Sequence, residues 1–224
     1  MGMHAGTQRL VRIAAGDVSL EGDLVVPAGA EGIVLFAHGS GSSRFSTRNT
    51  YVAGVLQQAR LGTLLMDLLT RAEEAVDVQT ARLRFDIGLL AERVVAAIDG
   101  LRHDPITSDL ALGCFGASTG AAAALVAAAD RPDDVAAVVS RGGRPDLAGP
   151  ALARVHAPTL LIVGGNDGPV IEMNREAMAR MTAEVRLEIV PGATHLFEEP
   201  GTLEQVACLA SDWMLRWLPA ARQA

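Results

Sequence analysis

The chain has 224 residues, of which 50% are hydrophobic and 20% charged, with a formal net charge of −7. Such a chain can bury a sizeable core, and its acidic balance argues against a nucleic-acid face or adsorption to an anionic membrane. Two cysteines, Cys114 and Cys208, are too few for a disulfide framework. The absence of an apolar leader or of a run of about 18 apolar residues gives the expectation of a cytoplasmic protein that does not span a membrane.

Taken in chain order, the first segment alternates. Leu10, Arg12 and Ala14 fall on one face and Val11 and Ile13 on the other; Gly16-Asp17 reads as a turn, and Val18 to Val26 returns. This predicts a β-hairpin at a sheet edge. The pattern then changes to short continuous apolar runs: Ile33–Ala37, Thr63–Met66, Leu110–Phe115, Val135–Val139, Thr159–Val163 and Arg186–Val190. Runs of this kind suit strands covered on both faces, as in parallel sheets. Helical patterns lie between them. Leu83, Ile87, Leu90, Val94, Ile98 and Leu101 form one amphipathic stripe, 119–129 is Ala-rich, and 171–181 and 203–217 read as two more helices. The segment 68–83 is charged and reads as a loop or a short helix that could cover a site. Alternating strands and helices imply right-handed crossovers and a doubly wound, mostly parallel sheet. No linker or repeat divides 1–224, so one domain is expected. Trp213 and Trp217, four apart, are expected to dock the last helix on the sheet.

One segment carries chemistry. Gly116-Ala117-Ser118-Thr119-Gly120 is a G-x-S-x-G sequence placed between an apolar strand and an Ala-rich helix. A sharp strand-to-helix turn would aim the Ser118 hydroxyl out of the sheet, and glycines two residues either side remove side chains that would collide. The turn also sets the N–H of Thr119 at the positive end of a helix, where it can meet an oxyanion.

A serine hydroxyl needs a base. His195 lies in a loop just past the last predicted strand, at the carboxyl edge of the sheet, where ligands of open α/β sheets bind. His4 stands in the N-terminal tail, while His103 and His156 fall at the opposite edge. Asp167, in Gly164-Gly165-Asn166-Asp167-Gly168-Pro169, is the carboxylate expected to orient the imidazole, and the order Ser, Asp, His suits this fold. The alternative is that Asp167 serves only as a turn residue or helix cap, leaving Asp146 or Asp67 as the acid. A second oxyanion donor is expected from the backbone of Ser40 in His38-Gly39-Ser40-Gly41-Ser42-Ser43, with His38 orienting that loop.

Every one of the 19 basic residues is arginine. Arg44, Arg48, Arg71, Arg141 and Arg144 fall in segments at the predicted catalytic edge. They are expected either to attract an anionic substrate group, with Arg141 or Arg144 foremost, or to pair with neighbouring acids such as Glu73, Glu74 and Asp146. Nothing in the sequence has the spacing of a metal site or a dinucleotide loop, so neither a metal nor a cofactor is expected.

The segments HGSGSS, DLLT, LRFDIGLLAER, GASTGAAAA, SRGGRPDL, LLIVGGND and PGATHLFEEP resemble the dienelactone-hydrolase-like branch of the α/β-hydrolases, over roughly residues 8–218. They are similar in particular to small bacterial members sometimes joined to a phosphoribosyltransferase domain. The resemblance implies the α/β-hydrolase fold, a triad of Ser118, Asp167 and His195, and backbone donors at Ser40 and Thr119. Family members that act on dienelactone carry cysteine where this chain has Ser118, so that substrate does not carry over. The stretch from Val139 to Thr159 is too short for a cap domain.

The expected activity is cleavage, through an acyl-enzyme, of a small-molecule carboxylic ester or lactone that is anionic if the arginines bind it, with neither nucleic acid nor membrane as a partner. The competing readings are a thioesterase or acyltransferase with the same triad, a cofactor-free haloperoxidase side activity, and a catalytically silent binding domain. Labelling of Ser118 by a fluorophosphonate separates the last from the rest.

Overall fold

A computed structural model describes residues 6–218; His4 lies outside them. Eight strands form one sheet in the order β1-β2-β4-β3-β5-β6-β7-β8. β1 (Thr7–Ala15) and β2 (Val18–Val26) are the expected hairpin, turning at Gly16 in a left-handed conformation. β2 joins β4 antiparallel, and every later pairing is parallel. The strands β3 (Gly32–Ala37), β4 (Leu61–Met66), β5 (Ala111–Ala117), β6 (Val135–Arg141) and β7 (Thr159–Gly164) are almost wholly buried, which explains their unbroken apolar sequences. β8 (Val185–Val190) is the far edge and alternates in exposure.

The two faces of the sheet bury separate cores. Ile33, Leu35, Leu112 and Cys114 pack with α3 (Ile87–His103) and α4 (Thr119–Asp130); Val34, Phe36, Phe115 and Ile162 pack with α1 (Thr47–Gln58) and α6 (Thr202–Trp217). Phe36 and Phe115 stack across neighbouring strands with ring centroids 4.8 Å apart. Helix α4 is buried nearly all round, between the sheet, α3 and an irregular 3-10 segment, Pro145–Arg154. Its alanines are almost all buried and let it lie close to all three neighbours. Trp213 is buried and its indole N–H donates to the Pro158 carbonyl at 3.3 Å, so the last helix is docked as expected.

Two elements, α1 and α2, go beyond the sequence reading. Helix α1, between β3 and β4, carries Asn49 on its buried face with Val52, Ala53 and Leu56. The 68–83 segment contains a true helix, α2 (Arg71–Thr80), started by a reciprocal Thr70–Glu73 capping box. The stretch between β6 and β7 holds only the 3-10 segment, so no cap domain covers the sheet edge. The remaining helix, α5 (Gly168–Met178), follows β7. No helix among the described residues is long and apolar enough to cross a membrane.

Candidate active site

β5 ends at Ala117, and Ser118 sits between it and α4 with φ 50° and ψ −121°, a conformation that costs a non-glycine residue roughly 1–3 kcal/mol. Backbone bonds hold it there: its N–H donates to the Arg141 carbonyl at 3.3 Å, and its carbonyl accepts from Arg144 at 3.1 Å. The flanking glycines are sterically required. A Cβ on Gly116 would stand 2.3 Å from Ala121 Cα, and one on Gly120 would stand 2.3 Å from the carbonyl oxygens of both Ala37 and His38. The turn therefore presses the start of α4 against the end of β3.

The loop after β3 completes the opposite wall. His38 is buried; its Nδ1–H donates to the Gly39 carbonyl at 2.9 Å while Nε2 accepts the Leu68 N–H at 3.1 Å. Burial pushes its pKa below the ordinary 6.5, outweighing the opposing effects of Gly39 and Asp67, so the ring stays neutral and fixed in one tautomer. The Ser40 and Thr119 hydroxyls share a hydrogen bond of 3.0 Å, tying the loop to the first residue of α4. Among the described residues, neither the Ser40 nor the Thr119 backbone N–H has an intramolecular acceptor. The side-chain tie between these two residues was not anticipated from sequence.

Asp167 and His195 come together from the loops after β7 and β8. Asp167 stands at the N-cap of α5, yet its side chain caps nothing; Oδ2 lies 2.7 Å from His195 Nδ1. Asp146 is instead forked to Arg144, and Asp67 is held by Arg44. The two loops are braced: Asn166 donates from its backbone to the Ala193 carbonyl and from its side chain to the Gly192 carbonyl, both at 2.9 Å. Glu199 accepts the Thr194 N–H at 3.1 Å, and hydrogen bonds from Thr194 hold its carboxyl below the usual range. Gly142, with φ 51°, lets the His195 loop lie close, since a Cβ there would stand 3.0 Å from the His195 carbonyl oxygen.

Ser118 and His195 line one cavity of about 200 Å³, together with Ser40, Arg48, Arg141 and Leu196. Among the described residues no hydrogen bond joins Ser118 to His195; such contacts are commonly long before substrate enters. Across the Gly39–Ser42 loop lies a second cavity of about 170 Å³, walled by Leu68, Leu69, Val78 and Leu90, with Thr119 at its floor. No group of three or more His, Cys, Asp or Glu side chains among the described residues is placed to hold a metal.

Of the five arginines expected at the catalytic edge, Arg71 begins α2 and lines neither cavity, and the other four divide. Arg48 and Arg141 line the Ser118 cavity. Arg44 does not: it pairs with Glu21, Asp23 and Asp67 beside the antiparallel strands. Arg144 also turns aside into a two-pronged pair with Asp146, whose hydrogen bonding raises its pKa. These two are corrected by chemistry the sequence already contained, since each guanidinium meets carboxylates before it can meet a ligand.

The sheet order, the strained serine between β5 and α4, and the histidine and aspartate loops at one edge define an α/β-hydrolase fold. The model of the dienelactone hydrolase family matches residues 57–221, and the chain belongs to that family. A dienelactone hydrolase from Anabaena variabilis is 62% identical, with a TM-score of 0.93 over 96% of this chain and 100% of that one. Est1E from Butyrivibrio proteoclasticus shares the fold, with a TM-score of 0.77 at 15% identity over 92% of this chain and 98% of its own. A Mycobacterium tuberculosis protein named a putative phosphoribosyl transferase is 58% identical over 205 residues, which are 92% of this chain but 45% of that protein. The chain thus spans less than half of that curated relative.

Proposed function

We propose that the chain hydrolyses a carboxylic ester or lactone through an acyl-enzyme on Ser118. The observation that carries this reading is the Asp167–His195 contact: an aspartate at a helix N-cap leaves the backbone uncapped and binds the imidazole at 2.7 Å, on the rim of the cavity that holds a strained serine. In this reading Ser118 Oγ attacks the carbonyl carbon while His195 Nε2 takes its proton. Asp167 accepts the Nδ1–H bond and stabilises the imidazolium. The free N–H groups of Ser40 and Thr119 receive the oxyanion. The imidazolium then protonates the departing alkoxide, which for a lactone stays tethered to the acyl chain. Water, deprotonated by His195, releases the acid and restores Ser118.

Membership of the dienelactone hydrolase family supports the reaction class. The phosphoribosyl transferase name of the mycobacterial relative is not carried over, because this chain covers 45% of that protein. Incubation with a fluorophosphonate should add one adduct at Ser118, absent in Ser118→Ala, and p-nitrophenyl acetate should be turned over by the native chain alone. A folded protein that neither takes the label nor cleaves any ester in a series of chain lengths overturns the proposal.

A further inference from the structure

The peptide that carries the Ser40 N–H is held at its other end. Its carbonyl, on Gly39, accepts the His38 Nδ1–H at 2.9 Å and the Ser42 N–H at 3.2 Å. In a trans peptide the N–H points opposite to the C=O, so these two bonds set the direction of the Ser40 N–H. They do not set its distance from Thr119. Ser40 stands between Gly39 and Gly41, the latter at φ 67°, and glycine neighbours resist backbone rotation least. Among the described residues, one hydrogen bond joins this loop to α4: the Ser40–Thr119 hydroxyl pair at 3.0 Å. Ser40 Oγ also donates to the Arg84 carbonyl at 3.4 Å. A hydroxyl has one hydrogen to give, so Thr119 is the donor within the pair. The bonds run in one direction, Thr119 to Ser40 to Arg84. Thr119 is 3% exposed at the floor of the apolar cavity, where little water competes for its hydroxyl. The far end is anchored as well: the Arg84 guanidinium and backbone N–H both bind the buried Asp77 carboxylate.

We propose that the Ser40 and Thr119 hydroxyls are positioning groups for the reaction: they hold the two backbone N–H donors, one on the loop after β3 and one at the start of α4, at the spacing a tetrahedral oxyanion requires. The inference rests on the hydrolase reading above. The two donors lie 79 residues apart in sequence, so neither fixes the other through the chain. The hydroxyls bond to each other rather than to the substrate, and neither is itself a catalytic residue. Their contribution falls on the transition state, because the carbonyl of a bound ester needs the two donors far less than the oxyanion formed from it. Loss of the bond therefore lowers kcat and leaves KM in place.

The test uses four variants: Thr119→Val, Ser40→Ala, the two combined, and Thr119→Ser. In each, kcat and KM are measured for p-nitrophenyl acetate, together with the urea midpoint and inhibition by phenylboronic acid, whose adduct on a serine mimics the tetrahedral intermediate. Thr119→Val keeps the branched shape and removes the hydroxyl. It should lower kcat by about 10- to 100-fold with KM changed by less than about threefold, and weaken the boronic acid in step with kcat. Ser40→Ala should lose a similar factor, and the combined variant no more than the worse single, because the two side chains make one bond. Thr119→Ser restores the hydroxyl and should recover most of kcat. A merely structural role would lower the urea midpoint without separating kcat from KM. Native kcat in Thr119→Val overturns the inference, as do losses that multiply in the combined variant or a Thr119→Ser chain as impaired as Thr119→Val. If Thr119→Val does not fold, Ser40→Ala decides the matter by the same measurements. A native chain that cleaves no ester and takes no fluorophosphonate sinks the hydrolase reading and this inference with it, whereas an active native chain with unaffected variants sinks the inference alone.

Discussion

Replacing Gly120 by alanine tests whether the contact between α4 and the end of β3 governs both stability and chemistry. In a helix interior this substitution normally stabilises by about 0.5–1 kcal/mol. Here the new Cβ would lie 2.3 Å from two backbone oxygens, those of Ala37 and His38. Backbone cannot swing away as a side chain tip can, so a gap of about 1 Å must open, and overpacking of this kind costs about 1–3 kcal/mol. The net expectation is a loss of about 1–2 kcal/mol, or a fall in Tm of roughly 2–8 °C for a chain of this size. The same gap moves Ser40, which follows His38, away from Thr119; a displacement of about 1 Å can cost about 100-fold in rate. Gly54 is the control, since it lies in α1 with nothing within 4 Å of its would-be Cβ, and Gly54→Ala should stabilise. Urea denaturation and p-nitrophenyl acetate hydrolysis report the two effects. A Gly120→Ala chain as stable and as active as Gly54→Ala refutes the steric argument.

Other expectations concern the site directly. Ser118→Ala should lower kcat by about 10⁴ or more with an unchanged circular dichroism spectrum, whereas Ser118→Gly, free of the positive-φ penalty, should raise the urea midpoint by an amount equivalent to about 1 kcal/mol. Asp167→Asn should cost about 10³–10⁴ in kcat, read from initial rates, because the amide cannot hold the imidazole as the carboxylate does. His38 makes a pH-dependent contribution. Above its ordinary pKa of 6.5 both folded and unfolded chains hold it neutral; as pH falls below that value the unfolded chain binds a proton the buried ring resists, so stability drops until the lowered folded pKa is passed. His38→Gln should lose about 1–3 kcal/mol at pH 8 through the disturbed Leu68 N–H bond. The gap to the native chain should narrow toward pH 5, and parallel urea midpoints across that range contradict the assignment.

Much of this architecture is written locally. The apolar strands announce a sheet covered on both sides, and G-x-S-x-G between a strand and an Ala-rich helix marks the turn now seen at Ser118. Helix α1 escaped because its buried stripe begins with Asn49, a polar residue whose partner, Arg141, lies on β6, and because Thr47, Thr50 and Gly54 are weak helix formers. Asp167 could not be separated from an ordinary cap by sequence, since the deciding fact is the position of a loop after a different strand. The arginines were equally ambiguous. Arg44 and Arg141 are alike in one dimension, but the fold surrounds the first with three carboxylates and the second with none among the described residues.

The loop that carries His195 hangs from the sheet's periphery. β8 has a neighbour only in β7, and Ile189 near its end is 37% exposed, so this strand has less packing to resist fraying than the interior parallel strands. Ser118, by contrast, follows an interior strand. Warming should therefore loosen the His195 loop while Ser118 still holds its contorted backbone, and the proposed ester hydrolysis should be lost at a temperature where most of the protein remains folded.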